Sequence, residues 1–466
     1  MKNPALWALI AASAAIRLGF AGAIGLGVDE SYMVAAGRRI AWGYYDHPPL
    51  AWWLSHLALD GSAFAVRLPF IALFALSTWL MFRLTSELFG DRAGFWAALA
   101  FNLSPVFGVS AASWVLPDGP MLCALLGMAW CLVRGLEKPS VAAWIGVGIG
   151  AGLALLSKYT AVLPIFGVLA YLVVVPRHRA LLRSPYPWLA LAVALLVFSP
   201  VLIWNAGHGW ISFAFQGGRA GGARFNPLGP LTVLAGEALF VLPWIWLPMM
   251  IVLWQGLRRG HLLAWMALGP VLLFVVVALG SPRILFHWAA AGYLFLFPLL
   301  GVWLAARAPL RTAWATAGLL VSVAAIAVAV LRANPWPMAN DPGLQALDWT
   351  PLRATLAGRG LLGARIAAPN WSDAGKIDYA LGGAPAVLCL NLDARQYLFS
   401  PGPVAGSDIL LIAPRQSEAR IRADYGPMFA SIETLPPAVF ALPGRPAVSF
   451  GLYLGRRLSS WPPTPR

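Results

Sequence analysis

The stretch KNPALWALIAASAAIRLGFAGAIGLG, Lys2 to Gly27, decides how the rest of the chain is read. A lysine followed by an apolar run and small residues has the outline of a secretory signal. This run is long, however, carries Arg17 in its interior and leads into further apolar runs. It is read as a retained first membrane helix. Runs near 20 residues, enough to cross about 30 Å of hydrocarbon as a helix, recur at 5–26, 64–82, 93–112, 119–133, 141–156, 160–176, 187–204, 229–254, 262–280, 288–306 and 312–331, about eleven in all. Their length excludes a barrel. The whole chain agrees: of 466 residues, 60% are hydrophobic and 11% charged, and the mean hydropathy is +0.73. That composition lies outside the range of soluble globular proteins.

A formal charge of +15 invites a nucleic-acid partner. The basic residues form no stripe with interleaved aromatics, so no nucleic acid is expected. They report orientation instead. The short connections FRLTSELFGDR, RGLEKPS, PRHRALLRSPYP, QGLRRGH and ARAPLR hold eleven Lys and Arg and fall on one side. By the positive-inside rule that side is cytoplasmic and the N-terminus joins it. An odd number of spans then sends everything after Leu331 outside the cytoplasmic membrane. Of the nine acids before residue 332, Asp29, Glu30, Asp46, Asp60 and Asp118 fall on that outer face. Glu237 lies just inside a span that starts there.

The fold expected is therefore a polytopic α-helical membrane protein, residues 1–331, with an outer first loop at 27–63. A small α/β domain, 332–466, follows outside the membrane. In that tail APAVLCLNL, DILLIAPR and AVSFGLYLG read as strands and WSDAGKIDYAL as a helix. Cys123, Cys131 and Cys389 show no disulfide framework and no metal-ligand spacing.

The chemistry-bearing residues gather on the outer face. Asp29 and Glu30 follow the first span directly; an acid there is ordinarily a solvated helix end, and its alternative is a carboxylate that accepts a proton at the membrane rim. SYMVAAGRRIAWGYY after them reads as an amphipathic surface helix that would roof a site. In GYYDHPPLAWW, Pro48 and Pro49 bar helix at Asp46 and His47 and stiffen the turn. His47 there would hold a phosphate, with Asp46 either keeping the imidazole protonated or ligating a divalent cation. Tyr44 and Tyr45 flank them at headgroup depth. Asp118 in LPDGP has the ordinary job of capping a helix. Lys158 in LLSKYTAVLP lies on the side where the positive-inside rule does not put lysine; a phosphate or simple snorkelling explains it. Glu237, Arg17 and His287 are polar groups near or within spans, and such groups usually face a cavity.

These residues, taken in order, resemble glycosyltransferase family 39 of the GT-C superfamily. The resemblance rests on DESY, GYYDHPPLAWW, VRLPFIALFAL, LPDGP, LLSKYTAVL, PVLIWNAGHGWISFAFQ, and FHW followed by an outer domain. It implies transfer of a sugar from a polyprenyl-phosphate donor to a lipid, glycan or protein acceptor outside the membrane. Aminoarabinose transferases of lipid A, lipopolysaccharide galacturonosyltransferases and protein O-mannosyltransferases are among its members. It implies Asp29 as the functional carboxylate, with Glu30 beside it, and Asp118 as a second acid. Asp46 and His47 stand where aminoarabinose transferases place an acid and a lysine before a proline, so His47 departs from the pattern. The expected reaction is an inverting displacement with Asp29 as base and with His47, Lys158, Arg38 and Arg283 stabilising the leaving phosphate. No cofactor is required by this reading, and a divalent metal at Asp46 and His47 is the open alternative. A transporter or flippase for a lipid-linked or polar solute is the rival from another class. Against it stand the acids on one face, the large outer domain and the lack of paired broken helices.

Overall fold

The computed structural model describes residues 3–58, 61–220, 225–280, 284–334, 342–442, 447–459 and 461. Asp60 and Arg283 fall outside the described residues. The chain divides into two compact units. One comprises Met1–Gly19, Ala41–Leu54 and Arg67–Val321; the other comprises Phe20–Ile40, Ser55–Val66 and Ser322–Arg466. The first loop is thus shared: its beginning and end belong with the tail, while its centre, which holds Asp46 and His47, belongs with the spans.

Each apolar run read from the sequence falls on a helix or a bent helix pair. Among the described residues five helices are individually long and apolar enough to cross a membrane: Pro4–Ala23, Ala63–Phe89, Asp118–Glu137, Tyr186–Gly207 and Leu310–Ala333. Four further segments are pairs bent by 70° to 114°: Asp91–Leu103 with Val106–Ser113, Tyr159–Val174 with Pro176–Arg183, Gly229–Val241 with Pro243–Arg258, and Phe286–Tyr293 with Leu296–Arg307. Counting each pair as one span gives up to nine, and Val141–Ser157 and Leu262–Val277 are shorter apolar helices. Broken helices, which the apolar runs did not show, are thus present among the described residues. Pro105, Pro176 and Pro243 stand at three of the four breaks, where a proline ring denies the helix a donor and clashes with the preceding turn.

In hydrocarbon, a break is stable only if its released backbone groups find partners. Arg17 supplies one. Buried in the first helix, it donates from Nη2 (2.8 Å) and Nε (3.1 Å) to the carbonyl of Gly108, which lies in the π-helical turn Val106–Ser110. It also donates to Ser13 O at 2.8 Å and to Asn102 Oδ1 at 3.3 Å, and its guanidinium lies 4.4 Å from the Phe74 ring centroid. Every direction of the guanidinium fork is directed at protein, so Arg17 acts as a buried brace. Ser104 Oγ likewise donates to Val241 O, the residue before the sharpest bend, at 3.2 Å.

The motif GVGIGAG, Gly146 to Gly152, explains how the helix Val141–Ser157 sits between two neighbours. A Cβ on Gly150 would stand 2.8 Å from the backbone of Met128 in Asp118–Glu137. One on Gly148 would stand 2.6 Å from Ala190 O in Tyr186–Gly207. Small residues thus let backbone approach backbone on both faces, the packing that holds helices together where no water drives them. Gly150→Leu should therefore abolish the folded membrane form, while Gly127→Leu, with open space at its Cβ, should be tolerated. Size-exclusion profiles of the two variants in detergent check this.

The second unit holds a five-stranded sheet of order β2-β1-β3-β5-β4: β1 (Arg365–Ala368), β2 (Val387–Cys389), β3 (Ile409–Ala413), β4 (Phe429–Phe440) and β5 (Val448–Leu458). β1 pairs parallel with β2 and β3, and β5 pairs antiparallel with β3 and β4. The three strands and the helix read from the sequence are present, the helix as Trp371–Ala380. β1 and β4 were not legible. β1 has only four residues, and β4 carries Pro436 and Pro437 with a register shift between Leu435 and Ala438. Proline is tolerated there because β4 is an edge strand.

The expected amphipathic surface helix is corrected. The helix runs Val28–Ala36, starts earlier, stops at Gly37, and buries Glu30 through Ala35. Its partner is the helix Trp371–Ala380: Tyr32 meets Trp371 edge-on at 5.2 Å, its hydroxyl accepts from Gln396 N at 3.0 Å, and Gly375 brings the two backbones together. The apolar face that suggested a lipid surface is taken up by protein.

Candidate functional site

The helices Asp118–Glu137 and Val141–Ser157 form an antiparallel hairpin joined by three residues. Twenty residues out and seventeen back bring Asp118, in the first turn of one helix, level with Lys158, at the C-terminal cap of the other. Lys158 Nζ donates to both carboxylate oxygens, at 2.8 and 2.9 Å. Both residues are more than nine-tenths buried. Each charge also suits its helix end, the acid at the positive N-terminus and the lysine at the negative C-terminus.

Other charges converge on this pair. His287, on the short 3-10 turn Phe286–Ala289, lies within electrostatic reach of Lys158, Asp118, Arg219 and His47; Asp118 in turn feels His287 and His47. His47 Nδ1 lies 3.5 Å from Asp46 Oδ2. Among the described residues that nitrogen, though buried, makes no hydrogen bond. The helix Ile211–Ala220 closes on the same loop: Gln216 Nε2 donates to Asp46 O, and Phe215 packs on Tyr45 at 5.1 Å. Arg219 stacks on Trp288 at 4.7 Å. Tyr159 and Ser212 share a hydroxyl hydrogen bond of 2.7 Å, and Ser212 N donates to Asn205 Oδ1 at 3.2 Å. Two acids, one lysine, one arginine and two imidazoles are thereby concentrated in an apolar surround.

Arg219 and Gln216 escaped the sequence reading. Their signal was present: in FAFQGGR, Phe215 and Arg219 are four apart, one helical turn. The other predicted residues are distributed as follows. Tyr44 is fully buried, stacked on Trp52 at 4.1 Å, with its hydroxyl accepting from Ala41 N at 3.2 Å. Glu237 is buried and accepts from Tyr293 Oη at 2.6 Å, and Trp246 Nε1 donates to the same Tyr293 oxygen at 2.9 Å. That chain of bonds ties together two of the bent pairs. Arg38 belongs to the tail-bearing unit, where it pairs with Asp378 at 2.9 Å. With Arg39, Gln396, Tyr397 and Ser400 it walls a cavity of about 130 Å³. Burial holds the Asp378 carboxyl above the usual carboxylate range despite that arginine.

The two acids of the first loop have separate fates. Glu30 is 3% exposed, and its Oε2 accepts from Gly27 N at 2.8 Å, closing the N-terminus of the helix on itself. Asp29 is exposed on the same turn.

For a metal, Asp46 and His47 supply two adjacent donors. Among the described residues no group of three or more His, Cys, Asp or Glu is placed to hold an ion. No step below is routed through a metal.

Comparisons with known proteins bear on the class of the chain. Residues 46–204 match the family described as dolichyl-phosphate-mannose-protein mannosyltransferase, a segment that holds Asp46, His47, Asp118 and Lys158. The lipid A galacturonosyltransferase RgtD of Rhizobium johnstonii is 23% identical over 297 residues, 59% of this chain and 60% of that relative. The match thus spans less than two thirds of the relative's length. ArnT from Cupriavidus metallidurans in the apo state has a TM-score of 0.65 at 15% identity, covering 96% of this chain and 97% of that one. The structure of the same protein bound to undecaprenyl phosphate gives a TM-score of 0.61 at 17% identity over the same shares. The fold is that of a GT-C membrane protein with a small C-terminal sheet domain. Together with the family match and the curated relative, it supports the GT-C glycosyltransferase superfamily as the class of this chain.

The Asp118–Lys158 pair makes a stability prediction. Removing one member of a buried pair strands a charge and costs about 3–5 kcal/mol, whereas removing both costs much less. Lys158→Met should lower the thermal unfolding midpoint sharply, and Asp118→Asn combined with Lys158→Met should recover much of the loss. A loss in the double variant equal to the sum of the Asp118→Asn and Lys158→Met losses in detergent would show that the pair carries no coupling.

Proposed function

We propose that this chain is an integral membrane glycosyltransferase that moves a sugar from a polyprenyl-phosphate donor to a lipid, glycan or protein acceptor at the outer face of the cytoplasmic membrane. The observation that carries the reading is the buried Asp118–Lys158 pair with the half-buried His47, His287 and Arg219 gathered around it on an ArnT-like fold. A lipid phosphate that enters an apolar protein needs cations and hydrogen-bond donors already in place. Lysine, arginine and two imidazoles offer them, and Asp118 holds Lys158 in position until a phosphate competes for it.

In the proposed reaction the acceptor oxygen attacks the anomeric carbon from the face opposite the phosphate. Its new bond to carbon forms as the carbon–oxygen bond to phosphate breaks. The electron pair leaves with the polyprenyl phosphate, whose charge Lys158, Arg219 and His47 offset. Asp29 takes the acceptor's proton as general base, which contributes about 10²–10⁴-fold. Its exposure on a helix capped by Glu30 supports Asp29 rather than Glu30 for the role. Asp118 binds sugar hydroxyls through whatever acceptor capacity Lys158 leaves. Arg38 and Arg283 remain further candidates for anion binding, and Glu237 for a polar wall. The basic connections support an N-terminus in the cytoplasm and a tail outside it.

A deletion strain complemented with wild type or with Asp29→Asn tests this. Mass spectrometry of surface glycolipids and glycoproteins should find one sugar restored by wild type and absent with Asp29→Asn at equal protein level. Full restoration by Asp29→Asn refutes the base. No changed glycoconjugate, with solute accumulating in vesicles, returns the chain to the transporter class.

A further inference from the structure

We propose that Lys376 is a positioning residue for Asp29, acting through the backbone that enters the helix Val28–Ala36; the inference rests on Asp29 being the base. Lysine is almost never fully buried unless its charge is satisfied, and Lys376, in the helix Trp371–Ala380, is 2% exposed. Its ammonium donates to Leu26 O at 2.7 Å and to Leu347 O at 2.5 Å. It also lies 5.0 Å from the ring centroid of Trp349, whose quadrupole attracts a cation.

The location of these acceptors gives the inference its content. Leu26 directly precedes Gly27, the N-cap from which the helix starts, and Asp29 stands two residues further on. Ser31 Oγ donates to the same Leu26 carbonyl at 3.4 Å. One turn of chain is therefore held from two sides, by the tail's lysine and by the helix's own serine. The neighbouring contacts leave little slack: a Cβ on Gly25 would stand 2.4 Å from Asp348 N, and one on Gly375 would stand 2.8 Å from Tyr32 Cα. Within this one unit Lys376 directs one donor to Leu347 and another to Leu26, the residue that sets where the first turn begins. Misplacing a catalytic group by about 1 Å can cost 10²-fold in rate, so this tie bears on turnover more than on donor affinity.

The test uses the full-length protein in proteoliposomes with its polyprenyl-phosphate donor, and rates are counted per donor-binding molecule. Lys376→Met keeps the stem and removes the charge and the donors. Its kcat should fall about 10- to 100-fold, its KM for donor should stay within about twofold, and amide hydrogen exchange of residues 28–34 should quicken. Gly375→Ala, which displaces the same helix with the lysine intact, should likewise lower kcat and quicken that exchange with KM for donor again within about twofold. Asp29→Asn should lose kcat without changing that exchange. If Lys376→Met keeps its kcat while Asp29→Asn is inactive, the positioning role is overturned. If Asp29→Asn is itself active, the base assignment fails instead, and unchanged exchange in Lys376→Met then also removes the tie to the helix. Should Lys376→Met not accumulate, Gly375→Ala decides: normal kcat with normal exchange overturns the proposal.

Discussion

The pairing of Lys158 with both oxygens of Asp118 is the constraint on which the membrane-embedded unit depends. Neither ion is tolerable alone in an apolar interior, and each sits at the helix end whose partial charge suits it. The pair therefore fixes the relative height of two antiparallel helices, which GVGIGAG then locks against a third. Polar residues from three other segments, His47, His287 and Arg219, collect around that fixed point. A surface salt bridge contributes little, because water competes for both ions. This one organises its surroundings because both ions are buried.

Broken spans are the second theme. A straight helix presents only side chains, whereas a bent one exposes backbone that must be bonded. Here that duty falls to Arg17 on Gly108 O and to Ser104 on Val241 O, while side chains alone, from Trp246 through Tyr293 to Glu237, link two bent pairs. Several polar groups that look functional in an oily sequence are thus engaged in holding the bends. The rule that a buried charge marks a site holds for Lys158 and Asp118 as candidates; Arg17 shows the other outcome.

The spans were legible in the sequence because twenty apolar residues in a row have one physical explanation, and the tail's β2, β3 and β5 because short apolar runs between turn residues also do. The bends were less legible: Pro105, Pro176 and Pro243 were visible, but a proline inside an apolar run is also compatible with a mere kink. Asp118 and Lys158 were both recognised singly, and the hairpin's equal arms would have paired them. Arg219 was missed because a phenylalanine and an arginine one helical turn apart, the local signal in FAFQGGR, fit a snorkelling arginine equally well. The burial of Tyr32 and its neighbours could not be foreseen, since an apolar helical face does not say whether lipid or protein covers it. Its cover, Trp371–Ala380, lies more than three hundred residues away in the chain.

The capping of the helix Val28–Ala36 by Glu30 has a consequence for how this stretch can vary. Because Glu30 must reach Gly27, the rotation of the first turn is indexed to the residue. Each step along a helix turns the side chain by about 100°. Insertion or loss of a single residue between Gly27 and Glu30 would either break the cap or aim Asp29 into a different quadrant. Length in this segment is therefore constrained more tightly than composition: Val28 can drift among apolar residues, but the count from glycine to glutamate works as a dial with one usable setting.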